Sequence, residues 1–167
     1  MDADERRGLV TVADYQFGRG AGAALFPEEE EPRVRRTSSG RPAQIHVGEG
    51  SEGHAADGSP GGEHLVSYGE DGRFRLGPAG GRRLCAELPA PAARVVVGDE
   101  SEPFVRDGKN VFAKFVRDAG AELRPGDEVA VVHADGDLLA VGRAELPASA
   151  MADFGSGMAV KVRSGVR

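Results

Sequence analysis

The chain has 167 residues, with 21 basic and 27 acidic side chains, a single cysteine and no tryptophan. That length holds two small domains and leaves no room for a large catalytic domain beside them. Cys85 alone can build neither an internal disulfide nor a cysteine-rich zinc site, and Arg83-Leu84-Cys85-Ala86 reads as a buried apolar position. No apolar run approaches the ~20 residues that span a bilayer, and the acidic N-terminus lacks a signal-peptide pattern, so the expected location is cytoplasmic.

In chain order, the first conspicuous segment is Gly18-Arg19-Gly20-Ala21-Gly22. It resembles a phosphate-cradling loop only superficially. A dinucleotide site needs a strand before the glycines and a ribose-binding acid about twenty residues after them, and both are absent. A tight turn or helix-packing role is the better reading. Glu28 to Glu31 is an acidic run of the kind that usually forms a solvated loop. Arg33, Arg35, Arg36 and Arg41 flank it, either as a basic contact surface for RNA or as salt-bridge partners of the run. Asp14 with His46, or His54 with His64 and neighbouring acids, offers at most a weak acid-base or metal pair, because the spacing matches no specific ligand pattern. Between Val47 and Glu63, Gly, Ser, Glu and Asp dominate, and residues 48–63 are expected to form a flexible loop.

The second half carries clear strand signals. Arg94–Val97 is a short β-branched run, and Gly126–His133 is a second strand. The tight Ala134-Asp135-Gly136 turn leads to a third over Asp137–Leu146, which Pro147 ends. From Ala148 to Phe154, Met151 and Phe154 stand three apart with Ser149 as a candidate cap, predicting one or two helical turns. Gly157 then releases a last strand, Met158–Val162. Between the first two strands, Gly108-Lys109-Asn110-Val111-Phe112-Ala113-Lys114-Phe115-Val116 joins a glycine turn to an alternating stretch. Val111, Ala113 and Phe115 are expected on one face, with Phe112, Lys114 and Val116 on the other.

Several landmarks in order resemble the PUA domain, an RNA-binding module of pseudouridine synthases and archaeosine transglycosylases. They are Gly108, Arg124-Pro125-Gly126-Asp127, Val141-Gly142-Arg143-Ala144 and Gly157-Met158-Ala159-Val160, together with the strand order around them. In the first half, Val12-Ala13-Asp14-Tyr15-Gln16-Phe17 through Gly22, followed by Leu25-Phe26, is similar to the start of the domain that precedes PUA in archaeal tRNA-guanine transglycosylases and archaeosine synthases. Ser38-Ser39-Gly40-Arg41 and Gly69 through Leu76 sit where that domain has strands and turns. The implied fold class is α+β: a small α+β pre-PUA domain over residues 1–92, then a PUA-type mixed β-barrel with short helices over 93–167. The catalytic domain of that family has no counterpart here, so no enzyme activity, catalytic residue, cofactor or metal is expected.

Charge sets a condition on any RNA binding. Residues 1–92 carry 11 basic and 15 acidic groups, and residues 93–167 carry 10 and 12, so neither half has the basic excess usual in nucleic-acid binders. With 18 arginines, three lysines and abundant alanine and glycine, the composition resembles proteins of salt-adapted, haloarchaeal cytoplasm. In molar salt the Debye length falls to about 3 Å, so binding there depends on short contacts rather than long-range attraction. All three lysines, Lys109, Lys114 and Lys161, fall in the PUA-like half.

The resemblance implies an RNA groove lined by Phe104, Gly108, Lys109, Asn110, Val111, Phe112, Ala113, Lys114, Lys161 and Arg163. Gly108 can take φ > 0 and admit a sugar-phosphate close to the backbone. Phe104 and Phe112 stack on a base or, as is commoner in so small a domain, pack in the core. The expected function is non-catalytic RNA binding, with tRNA held by its acceptor stem and 3' end, in association with archaeosine modification and a separately encoded transglycosylase or synthase. Two alternatives stand beside it: a protein-interaction or regulatory module that kept the fold, and RNA binding in ribosome assembly or translation.

Overall fold

The computed structural model describes residues 1–49 and 60–167, in two compact units, Met1–Glu87 and Leu88–Arg167. Most of the loop expected over 48–63 lies outside the described residues, as does His54.

In the first unit, α1 (Ala3–Phe17) starts at Asp2, whose side chain accepts from the Glu5 N–H at 2.8 Å, with Asp4 and Glu5 favourably placed in the first turn. Gly18 and Gly20, at φ 110° and 96°, turn the chain into α2 (Ala21–Leu25). Gly22 lies so close to α1 that an added Cβ would be 2.5 Å from the Val10 carbonyl oxygen. The glycine segment is thus a turn and a helix contact, as its sequence suggested. Asp14 has a structural task there, accepting from the Gly22 N–H at 2.8 Å.

An antiparallel meander follows: β1 (Arg33–Arg36), β2 (Pro42–Val47), β3 (Glu63–Tyr68) and β4 (Phe74–Leu76). The Ser38–Gly40 and Gly69–Gly72 segments supply its turns, closed by Thr37 N–H to Arg41 O at 2.8 Å and Gly69 N–H to Arg73 O at 2.9 Å. Helix α3 (Pro78–Glu87) lies close on β3, where a Cβ on Gly80 would sit 2.3 Å from Leu65 O. Phe74, Leu25, Ile45, Leu65, Leu76 and Leu84 form the apolar interior. The Gln16 amide bonds both backbone groups of Phe74, at 2.8 and 2.7 Å, so a side chain of α1 occupies pairing groups of the last strand.

Three expectations change in this unit. The acidic run is not merely solvated: Glu30 receives two bonds from Arg83, at 2.9 and 2.8 Å, and Glu31 pairs with Arg6 at 3.1 Å. Three of the four flanking arginines do not answer that run either. Arg36 pairs with Glu5 of α1, Arg35 bonds Gln44, and Arg41 donates to the Tyr68 and Gly69 carbonyls. Cys85 is half-buried rather than buried, because its position on α3 falls beside the inward face that Leu84 occupies.

The second unit comprises β5 (Arg94–Val97), α4 (Glu102–Arg106), β6 (Val111–Phe112), a 3-10 turn over Ala113–Phe115, β7 (Val116–Ala119), β8 (Glu128–His133), β9 (Leu138–Ala144), α5 (Ala148–Asp153) and β10 (Met158–Gly165). The strand order is β6-β10-β9-β8-β5-β7, with β5 and β8 parallel and the other pairs antiparallel. β6 and β7 therefore lie at opposite edges of the sheet, yet only the three residues of the 3-10 turn separate them in sequence. At about 2 Å of rise per residue such a turn spans roughly 6 Å. The sheet has to curl until its edges nearly meet, which makes a barrel around Val95, Val97, Val129, Val131, Leu139, Val160 and Met151.

This closure corrects the alternating strand expected from Val111 to Val116. The in-out pattern holds as far as Lys114, since Val111 and Ala113 are buried and Phe112 and Lys114 exposed, but Phe115 and Val116 are both half-buried, Val116 packs on the core, and the chain changes partner strand in the middle. Ser149 is inside α5 rather than its cap; Pro147 precedes the helix and makes no side-chain cap bond. The last strand runs three residues beyond Val162, to Gly165.

Candidate nucleic-acid interface

The candidate surface is built around the C-terminal end of α4. The Lys109 N–H bonds the Phe104 carbonyl at 3.0 Å, and the Gly108 N–H bonds the Val105 carbonyl at 2.9 Å. This pair of bonds, with Gly108 at φ 92°, is a Schellman ending, which requires a left-handed residue just past the helix. Space beside Gly108 is open: an added Cβ would meet nothing within 4 Å.

From there the chain runs along β10. Asn110 Oδ1 accepts from the Val162 N–H at 3.0 Å, and Phe112 and Val111 are opposite Met158 and Val160. Residues 108–112 and 158–162 are thereby held side by side. On this frame Phe104 is 62% exposed and Phe112 45% exposed, so neither is the core residue that its size favoured. The reason is geometric. The barrel interior is filled by valine, alanine, leucine and methionine side chains, and both phenylalanines project from its outside.

Lys109, Lys114 and Lys161 are exposed, and the Lys114 Nζ lies 5.0 Å from the centroid of the Phe115 ring. Lys161 lies opposite Arg143 of β9, which pairs with Glu145 at 3.1 Å. Not every expected residue presents a side chain. Val111 and Ala113 are each 2% exposed, belong to the barrel core and leave only backbone for a ligand. Arg163 is tied to the buried carboxylate of Glu128 through two nitrogens, one bond being 3.1 Å. Sequence alternation found its outward direction but not this partner, which comes from another strand.

Phe154, 53% exposed after α5, was read only as a spacing marker and adds a third exposed ring in this unit. Its weak signal was an aromatic next to the Gly155-Ser156-Gly157 stretch. A cluster at the other end of α4, Asp99, Glu102 and His133, had no sequence signature at all, because its members are 3 to 34 positions apart. Among the described residues no helix is long and apolar enough to cross a membrane.

Two family models match the chain: the patch-forming domain C2 of tRNA-guanine transglycosylase over residues 7–91, and the PUA domain over 93–166. The tRNA-guanine(15) transglycosylase of Thermococcus kodakarensis is 44% identical over 164 residues, covering 98% of this chain and 26% of the relative. That of Methanothermobacter thermautotrophicus is 42% identical, covering 92% and 22%. The chain thus spans about a quarter of the length of these curated relatives. Among solved structures, a hypothetical protein of Pyrococcus horikoshii superposes with a TM-score of 0.73 at 20% identity, covering 100% of this chain and 93% of that one. A PUA domain protein from Thermoplasma acidophilum gives 0.66 at 19% identity, covering 99% and 91%. Two domain types in tandem, each matched along its own compact unit, place the chain in a family: it belongs to the proteins that carry the C2 patch-forming domain of tRNA-guanine transglycosylase, here joined to a PUA domain.

Proposed function

We propose that this protein is a non-catalytic RNA-binding module acting in tRNA modification, and that it holds the acceptor stem and 3' end of tRNA along the Gly108–Lys114 segment and β10. One observation carries the reading. On a unit with 10 basic and 12 acidic groups, all three lysines of the chain and two exposed phenylalanines lie on the Phe104–Lys114 stretch and on β10 beside it, with the open Gly108 turn at one end. Exposed rings give bases a stacking surface, ammonium groups meet phosphates, and Gly108 lets a sugar-phosphate approach the main chain. The relatives' name, tRNA-guanine(15) transglycosylase, supports tRNA as the RNA and archaeosine formation as the setting. A separately encoded transglycosylase or synthase is the catalytic partner on this reading.

The test is binding of deacylated tRNA, with and without its 3'-terminal CCA, in multimolar KCl, by wild type and by Lys109→Ala/Lys114→Ala. CCA-dependent binding lost in the double variant supports the proposal. Absence of binding to any tRNA by a correctly folded chain overturns it in favour of a protein partner.

A further inference from the structure

Three side chains from separate parts of the barrel unit converge at the N-terminal end of α4. His133 ends β8; its Nε2 is hydrogen-bonded to the Asp99 carboxylate and is 3.9 Å from Glu102 Oε2. One ligand-type atom from each of Asp99, Glu102 and His133 lies within 4.8 Å of the others.

The groups behind these atoms are already positioned. On the far side of the imidazole, His133 Nδ1 accepts from the Asp135 N–H at 3.0 Å and is also 3.0 Å from Asp135 Oδ1. Glu102 Oε1 accepts from Arg106 Nη2 and Nε at 3.0 and 3.1 Å, which leaves Oε2 directed toward the ring. Arg106 is itself fixed by donating to the Val166 carbonyl at 3.0 Å.

Charge at this point is unbalanced. Asp99, Glu102 and Asp135 surround one imidazole, Asp137 adds a fourth carboxylate 3.9 Å from Arg106, and Arg106 is the cation facing them. A single proton on Nε2 can bond only one of the two carboxylates that approach that nitrogen. A divalent cation in its place meets both carboxylates and the nitrogen lone pair together.

We propose that Asp99, Glu102 and His133 form a binding site for a divalent transition-metal ion of the zinc class. One imidazole with two carboxylates suits zinc, cobalt or nickel, whereas magnesium and calcium favour oxygen donors alone. Asp135 holds the ring's orientation, and with a metal on Nε2 its carboxylate, 3.0 Å from Nδ1, is placed to accept the Nδ1 proton, the task of a carboxylate behind a metal-bound histidine. Around bonds of about 2.0 Å the donor atoms must stand roughly 3.3 Å apart. The Asp99 side chain, 92% exposed, is free to swing by that amount. Three protein ligands leave a fourth tetrahedral position open to water or another oxygen donor. The ion joins the connection after β5 to the end of β8 and so steadies α4, whose other end carries Gly108. This site stands independently of the RNA reading.

The experiment is calorimetric titration of the untagged chain with Zn2+ and, for its absorption spectrum, Co2+. One ion per chain is expected, with at least tenfold weaker binding in His133→Gln and Asp99→Asn and no change in His64→Ala. Asp135→Asn, which removes only the outer partner, is expected to weaken binding about 10–100-fold. Equal affinity in His133→Gln, loss of binding in His64→Ala, or no saturable binding below millimolar metal overturns the proposal. If His133→Gln fails to fold, Asp99→Asn, at an exposed position, decides the same question.

Discussion

The side-chain oxygen of Asn110 accepts the backbone N–H of Val162 at 3.0 Å, across 52 positions of sequence. It extends the short pairing of β6 with β10 by one bond, using a side chain where the main chain has turned away. Asn110→Ala leaves that N–H without its partner and is expected to cost about 1–2 kcal/mol in urea unfolding. Asn110→Asp keeps the acceptor, so it should unfold near wild type while binding RNA less well through its added negative charge.

The lysines should separate from the fold. Lys109→Ala, Lys114→Ala and Lys161→Ala are expected to leave the unfolding midpoint within about 0.5 kcal/mol of wild type, since all three are exposed. Each that contacts phosphate should reduce the slope of log affinity against log salt by about 1, measured by fluorescence anisotropy over a KCl series. An unchanged slope in all three removes phosphate contact from this segment.

Phe104 and Phe112 should act on binding more than on stability, the reverse of a buried phenylalanine. Their exposure of 62% and 45% leaves little apolar burial to lose on truncation. Loss of a stacked base costs about 1–3 kcal/mol, so Phe112→Ala is predicted to weaken RNA binding roughly tenfold or more with little change in melting.

His133 predicts a pH response. Its hydrogen bond to Asp99, aided by Asp135, holds its pKa above the ordinary 6.5 against the opposing effect of burial. A raised value means that the folded chain binds the proton more tightly than the unfolded one. The stability it adds is therefore complete below pH 6.5 and is lost as pH rises through the raised value. Glu102 and Arg106 also face the ring and its carboxylates. With chelator present, the unfolding midpoint of wild type should fall over that window and the midpoint of His133→Gln should not.

Gly165→Ala tests how closely the last strand approaches α4. A Cβ there would be 2.1 Å from the Arg106 carbonyl oxygen and 3.0 Å from the Gly108 nitrogen. Backbone must move, and a loss of about 1–3 kcal/mol in thermal unfolding is expected, with RNA affinity falling as the Gly108 turn shifts.

The individual strands of the barrel unit were legible because β-branched runs and turn residues are local signals. Arg94–Val97 matches its expected limits, and the Ala134-Asp135-Gly136 turn stands where the residues indicated. The stretch from Val111 was legible in its in-out pattern as far as Lys114 and not in its path, because the 3-10 turn over Ala113–Phe115 ends the alternation and changes which strand is paired. For the candidate surface, residue type showed that all three lysines fall in the second half, two of them within the stretch that starts at Gly108. Only the fold showed that Phe104 and Phe112 face outward, that Val111 and Ala113 do not, and that Arg163 is held by Glu128.

By itself the sequence determined the domain order, most strands of the second half and the family resemblance, since these follow from spacing and composition along the chain. Tertiary structure decided what depends on residues distant in sequence. Barrel closure puts β6 and β7 at opposite sheet edges three residues apart, and parallel pairing of β5 with β8 carries Asp99 to His133. Contacts of that kind arise from the path of the backbone through space, and a one-dimensional pattern has no period that records it.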